Sequence, residues 1–88
     1  MAQFTGMDIA GVRQLSQQLT RSAGDIRHIV QQLNGLLQNT QWVGPDQQRF
    51  TSDWQGQHTQ ALNQVINALE EAGRLANQNA DQQEQASA

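Results

Sequence analysis

The apolar residues of this chain fall into two long stripes with one break between them, and the break holds the chain's only proline. The first stripe runs through Val12, Leu15, Leu19, Ile26, Ile29, Leu33 and Leu36 at alternating spacings of three and four, interrupted only at Ser22. That is the periodicity of a helix with a heptad seam. Val30 and Leu37 lie one place further round and widen the stripe into a face. The second stripe runs through Phe50, Trp54, His58, Leu62, Val65, Leu69, Ala72 and Ala76, flanked by Ala61, Ile66, Ala68 and Leu75.

The segment between the stripes, Asn39-Thr-Gln-Trp42-Val-Gly44-Pro45-Asp46, has the chemistry of a helix stop and restart. Proline suits the first turn of a helix, where its missing N–H costs nothing, and Asp46 beside it places negative charge at the positive end of the helix dipole. Gly44 then serves as N-cap of the second helix and Asp8 as N-cap of the first. The pattern predicts helix 1 over about residues 8–38, a turn over 39–45, helix 2 over 46–82 and a frayed tail over 83–88. All of residues 1–88 read as one domain.

Rods of about 45 and 50 Å joined by so short a turn fold back on one another as an antiparallel hairpin. A hairpin hides only part of each stripe, and a chain of 88 residues buries only about 60–65% of the surface its unfolded form exposes. Five glycines inside the helical spans, Gly11, Gly24, Gly35, Gly56 and Gly73, weaken it further, at about 1 kcal/mol each relative to alanine. With no cysteine, neither disulfides nor thiolate zinc can stabilise it. The expected fold is therefore all-α: a helix-turn-helix hairpin that pairs with another into a four-helix bundle dimer. Val12, Leu15, Leu19, Ile26, Ile29, Leu33, Leu36, Phe50, Trp54, Leu62, Val65 and Leu69 are the expected core of hairpin and dimer.

Composition narrows the function. Five arginines, no lysine and eight acidic residues are scattered along the chain, so no basic stripe exists to neutralise phosphates, and nucleic acid is not an expected partner. No apolar run approaches the roughly 20 residues that span a bilayer. The opening Met-Ala-Gln-Phe-Thr-Gly-Met-Asp lacks the basic start and apolar run of a classical signal peptide, so export would need a Sec-independent route. His28 and His58 stand in no catalytic or metal-binding pattern and read as surface or interface residues, although His58, on the second stripe, could make an interface pH-sensitive. No glycine-rich phosphate loop is present, and Glu70 and Glu71, being adjacent, point to different parts of a helix surface. Neither an enzyme, a cofactor nor a small-molecule substrate is expected.

One feature remains: a tryptophan at the turn, where small polar residues usually go. Trp42-Val43-Gly44 between two amphipathic helices of similar length resembles the WXG-100 (ESAT-6-like) family of type VII (ESX) secretion proteins. The resemblance covers nearly the whole chain and extends through Trp42-Val-Gly-Pro-Asp-Gln-Gln-Arg-Phe50 to Trp54, and Asn79-Ala-Asp-Gln-Gln-Glu-Gln-Ala-Ser87 resembles actinobacterial members. It implies an antiparallel four-helix dimer, a homodimer or a heterodimer with a sibling. Such a pair is made in the cytoplasm, recognised by an ATPase-driven membrane machine and secreted to the envelope or beyond as substrate or co-secreted partner. In that frame Trp42 and Gly44 form the signature turn, with Pro45 and Asp46 starting the next helix, and the indole either plugs the bundle end or forms part of a recognition surface. Many secreted members carry a Tyr-x-x-x-Asp/Glu signal, yet this chain has no tyrosine. Ala80 and Glu84 stand at the spacing of a degenerate form of it. Either a heterodimeric partner supplies the tyrosine or the tail is read differently. The competing reading is an intracellular helical adaptor or scaffold with no export role; a membrane-active hairpin would need a basic polar face that the chain lacks.

Overall fold

The computed structural model describes residues 6–87, with side chains to residue 86. The opening residues 1–5, read above for a leader, and the last residue of the expected tail lie outside that span. The chain is a helical hairpin. Helix α1 spans Ile9–Asn39, α2 spans Pro45–Asp53, a π-helical turn spans Trp54–His58, and α3 spans Thr59–Ser87. α3 packs back along α1, and the resulting rod measures 66 × 24 × 18 Å. Its radius of gyration is 19.8 Å, against about 12 Å for a compact domain of this length.

Local chemistry sets the helix ends. Asp8 caps α1, its Oδ1 accepting from the Gly11 amide at 3.0 Å. Thr40 closes it: the backbone turns extended there and the hydroxyl donates to the Leu36 carbonyl at 2.6 Å. Gly44 enters α2 with φ +131°, a backbone conformation that L side chains rarely adopt, and Pro45 follows at the first helical position.

Two features differ from a single helix over 46–82 with a frayed end. First, the helix is interrupted by the π-turn at Trp54–His58. Phe50, Trp54, His58 and Leu62 recur every four residues, so in an ideal α-helix each step drifts about 40° round the axis. A turn closed by i→i+5 bonds holds more residues and takes back part of that drift. Second, the helix continues to Ser87. Its last turns lean on α1 through Ala80, which is fully buried, and through Arg13, which gathers three polar groups of this segment.

The seam between α1 and α3 is built mostly from small residues, with Val30 and Ile66 as the larger ones. Ser16, Ala23 and Val30 are the buried positions of α1, and Ile66, Gly73 and Ala80 face them from α3. Each trio recurs every seventh residue. The helices approach closely at Gly73: a Cβ there would lie 2.8 Å from Thr20 Oγ1 and 3.1 Å from the Ser16 carbonyl oxygen. None of the twelve large stripe residues expected in the core is buried in the hairpin. Val12, Leu19, Ile26, Trp54, Leu62 and Leu69 are half-buried, and Leu15, Ile29, Leu33, Leu36, Phe50 and Val65 are exposed. Around Gly73 the reason is geometric, since helices that touch backbone to side chain at a glycine leave no room there for leucine-sized groups; elsewhere the seam positions are taken by Val30 and Ile66, and the stripe lies to one side of them.

Candidate interaction surface

The hairpin has two unlike flanks, and the seven-residue seam explains both. Residues three places before each buried position of α1 lie about 60° to one side of the seam, and residues three places after lie about 60° to the other. The first set is polar: Arg13, Thr20 and Arg27, with Asn34 in register beyond them. Its counterparts on α3 are Asn63, Glu70, Asn77 and Glu84. The two series pair across the seam. Arg27 donates to Glu70 at 3.1 Å, and Arg13 donates to Asn77 at 3.0 Å, Asp81 at 2.7 Å and Glu84 at 3.2 Å. The Arg13 guanidinium is held above its ordinary value, chiefly by the hydrogen bond to Asp81.

The other flank is apolar and uncovered. Val12, Leu19, Ile26 and Leu33 line its inner edge on α1, with Leu15, Ile29 and Leu36 further out; Leu62, Leu69, Val65 and Ala72 continue it on α3. Leu36 is 62% exposed and Leu15 53%. Between Ile29, Leu33 and Leu36, where Gly35 has no side chain, lies an open depression of about 530 Å³. So broad a run of exposed leucine, isoleucine and valine is a candidate contact surface on a small polar protein.

At the end of the rod the turn displays a third feature. Trp42 packs on Phe50 at a ring separation of 5.4 Å, tilted by 47°, and stays 41% exposed beside Val43, which is 96% exposed. Gly44 and Pro45 aim the indole back at the first turns of α2, while Asp46 lies exposed in the first of them. Trp54 belongs to a different group: its Nε1 donates to Asn34 Oδ1 at 2.6 Å, tying the π-turn to α1, and His58 stands 6.4 Å from its ring. Trp42 and Phe50 therefore come together at the tip, and Trp54 and His58 do so one element further on. Ala80 and Glu84 are both drawn toward α1, the first into the seam and the second onto Arg13.

Sequence reading passed over Arg13, Ser16, Ala23 and Asn34, and counted Gly73 only as a weak point of its helix. The seven-residue recurrence of small residues in both helices was the available signal, obscured by the larger stripe beside it. Among the described residues no group of His, Asp or Glu could hold a metal ion, and no helix is long and apolar enough to cross a membrane.

The class these features define is an elongated helical hairpin with an aromatic tip and an uncovered apolar flank. Compared with protein-family models, curated proteins and solved structures, the chain matches none.

Proposed function

We propose that this chain is a small substrate or co-secreted partner of a type VII (ESX) secretion system, of the WXG-100 kind. In this reading it works through protein–protein contact as one half of a four-helix dimer, with a second copy or with a sibling of the same fold. The observation that carries the reading is the position of Trp42-Val43-Gly44 at the tip of a hairpin, between the arms Ile9–Asn39 and Pro45–Ser87, with Trp42 and Val43 both exposed. The uncovered apolar flank supports the dimer, because a lone hairpin leaves in water the surface that a bundle would bury. The secretion machine's ATPase is the proposed reader of the assembled pair, and the destination is the cell envelope or the medium by a Sec-independent route.

The test is substitution at the tip. Trp42→Ala removes a side chain that touches Phe50 but lies outside the α1–α3 seam, so helicity and self-association should persist while export by a cell carrying the machinery is lost. Export at the wild-type level by a folded Trp42→Ala variant would sink the reading. A chain that stays inside such a cell, with its hairpin intact, would favour the adaptor alternative.

A further inference from the structure

We infer that Arg13 is a latch: it holds the last turns of α3, residues 77–86, closed on α1, and these turns open and close as a unit while the rest of the hairpin stays shut. In a consequence that rests on the proposed function, the opening controls when the secretion ATPase can reach Ala80 and Glu84.

Little besides Arg13 holds the segment. It reads Asn77-Gln-Asn-Ala80-Asp81-Gln-Gln-Glu84-Gln-Ala86, with no large apolar side chain. Ala80 alone of it is buried, at 0% exposure. Ser16 bonds to Gly73 across the seam, so seven residues back along α1 and seven onward along α3 set Ile9 level with Ala80. One methyl group at the end of a seam is a small anchor. A free helix of about ten residues does not persist in water, and asparagine and aspartate are among its weaker formers. Helix ends with so few buried apolar contacts open locally at a small fraction of the global unfolding free energy.

Charge makes the arginine necessary. The C-terminal end of a helix is the negative pole of its dipole, where acids are unfavourable and cations favourable. α3 nevertheless carries Asp81 and Glu84 near that end and has no basic residue in its last turn. The compensating cation comes from the other helix, since Arg13 donates to Asn77 at 3.0 Å, Asp81 at 2.7 Å and Glu84 at 3.2 Å. Those acceptors span about two turns of α3, so one guanidinium fixes the segment along most of its length. The next ties toward the turn, the Ser16–Gly73 bond and the Arg27–Glu70 pair, lie before Asn77 and survive its release.

Closure also hides what the segment could show to a reader. Ala80 has no exposed surface, and the Glu84 carboxylate is engaged on Arg13 although 64% of its side chain stays in water. Release frees both together. Arg13 lies on α1, so the latch can be altered without changing the segment itself.

The chain contains no cysteine, so the reactivity of a single introduced thiol reports its exposure. Ala80 and Ala23 are both 0% exposed, one under the latch and the other mid-seam. In the purified full chain Ala80→Cys should react with a thiol reagent severalfold faster than Ala23→Cys. Adding Arg13→Gln should speed labelling at position 80 severalfold and leave position 23 unchanged. Adding Asn77→Asp, which offers Arg13 a third carboxylate, should slow it. Equal labelling at the two positions, or an Arg13→Gln effect of the same size at both, would overturn the latch. Should the sulfur itself unseat the segment, amide hydrogen exchange over residues 77–86 of the cysteine-free chain makes the same comparison. In a cell carrying the secretion machinery, Arg13→Gln should raise the exported fraction and Asn77→Asp lower it. Export indifferent to both substitutions, with labelling as expected, would overturn the control of access. No export of any variant, with labelling as expected, would remove the secretion reading and leave the latch standing.

Discussion

The Ser16 hydroxyl donates to the Gly73 carbonyl at 2.7 Å, a buried bond between residues 57 positions apart that ties the two helices together at a close approach. A methyl group on Gly73 would press on Thr20 Oγ1 and on the Ser16 backbone oxygen. Gly73→Ala should therefore destabilise the protein despite the roughly 1 kcal/mol that alanine gains in a helix, because overpacking costs about 1–3 kcal/mol. Gly24→Ala is the contrasting case. Nothing lies within 4 Å of its added Cβ, and it should stabilise by about 0.5–1 kcal/mol. Urea denaturation of the two variants should move the midpoint in opposite directions; a stabilised Gly73→Ala would mean that the seam is looser than drawn.

Arg13 holds three successive polar groups of the end of α3, Asn77, Asp81 and Glu84. That segment has no large apolar residue, and only Ala80 of it is buried. Arg13→Ala should speed amide hydrogen exchange across residues 77–86 severalfold and leave residues 60–72 protected. Uniform loss of protection along α3 would show instead that the arginine supports the whole hairpin.

Gly44 has φ +131° and ψ 179°, a region open in practice to glycine alone. Gly44→Ala should cost about 1–3 kcal/mol in backbone strain, although nothing lies within 4 Å of the new methyl group. Thermal unfolding measures this directly. An unchanged melting temperature would mean that the turn relaxes to another conformation, and the Trp42–Phe50 contact should then be lost from the aromatic circular dichroism.

Glu71 and Arg74 form a one-turn ion pair on the outer surface of α3, and the hydrogen bond from Arg74 is the main reason the Glu71 carboxyl sits below its ordinary value of 4.5. A carboxyl depressed in the folded state contributes stability that is present above its unfolded value and is lost as pH falls through the folded one. Helix stability should decline as pH falls below 4.5, and Arg74→Gln should abolish the Glu71 part of that decline. Side-chain NMR titration of Glu71 gives the check: a midpoint at the ordinary value in the wild type would remove the effect.

The sequence by itself determined the two helices, the turn and the identity of the residues that stop and restart the chain. Asp8, Thr40, Gly44 and Pro45 act on their own backbone, and such local chemistry can be read one residue at a time. It also determined that an apolar face would exist, since the spacing of Val12 through Leu36 allows no other helical arrangement. Only the tertiary structure decided which side of that face the hairpin uses. Ser16, Ala23 and Val30 run parallel to the leucine stripe at the same period, and periodicity cannot tell adjacent rows of one helix apart. What separates them is how closely the second helix can approach, and Gly73 sets that distance by having no side chain. Ser16, Ala23, Gly73 and Ala80 went inward with only Val30 and Ile66 as larger companions, and the leucine stripe was left on the flank.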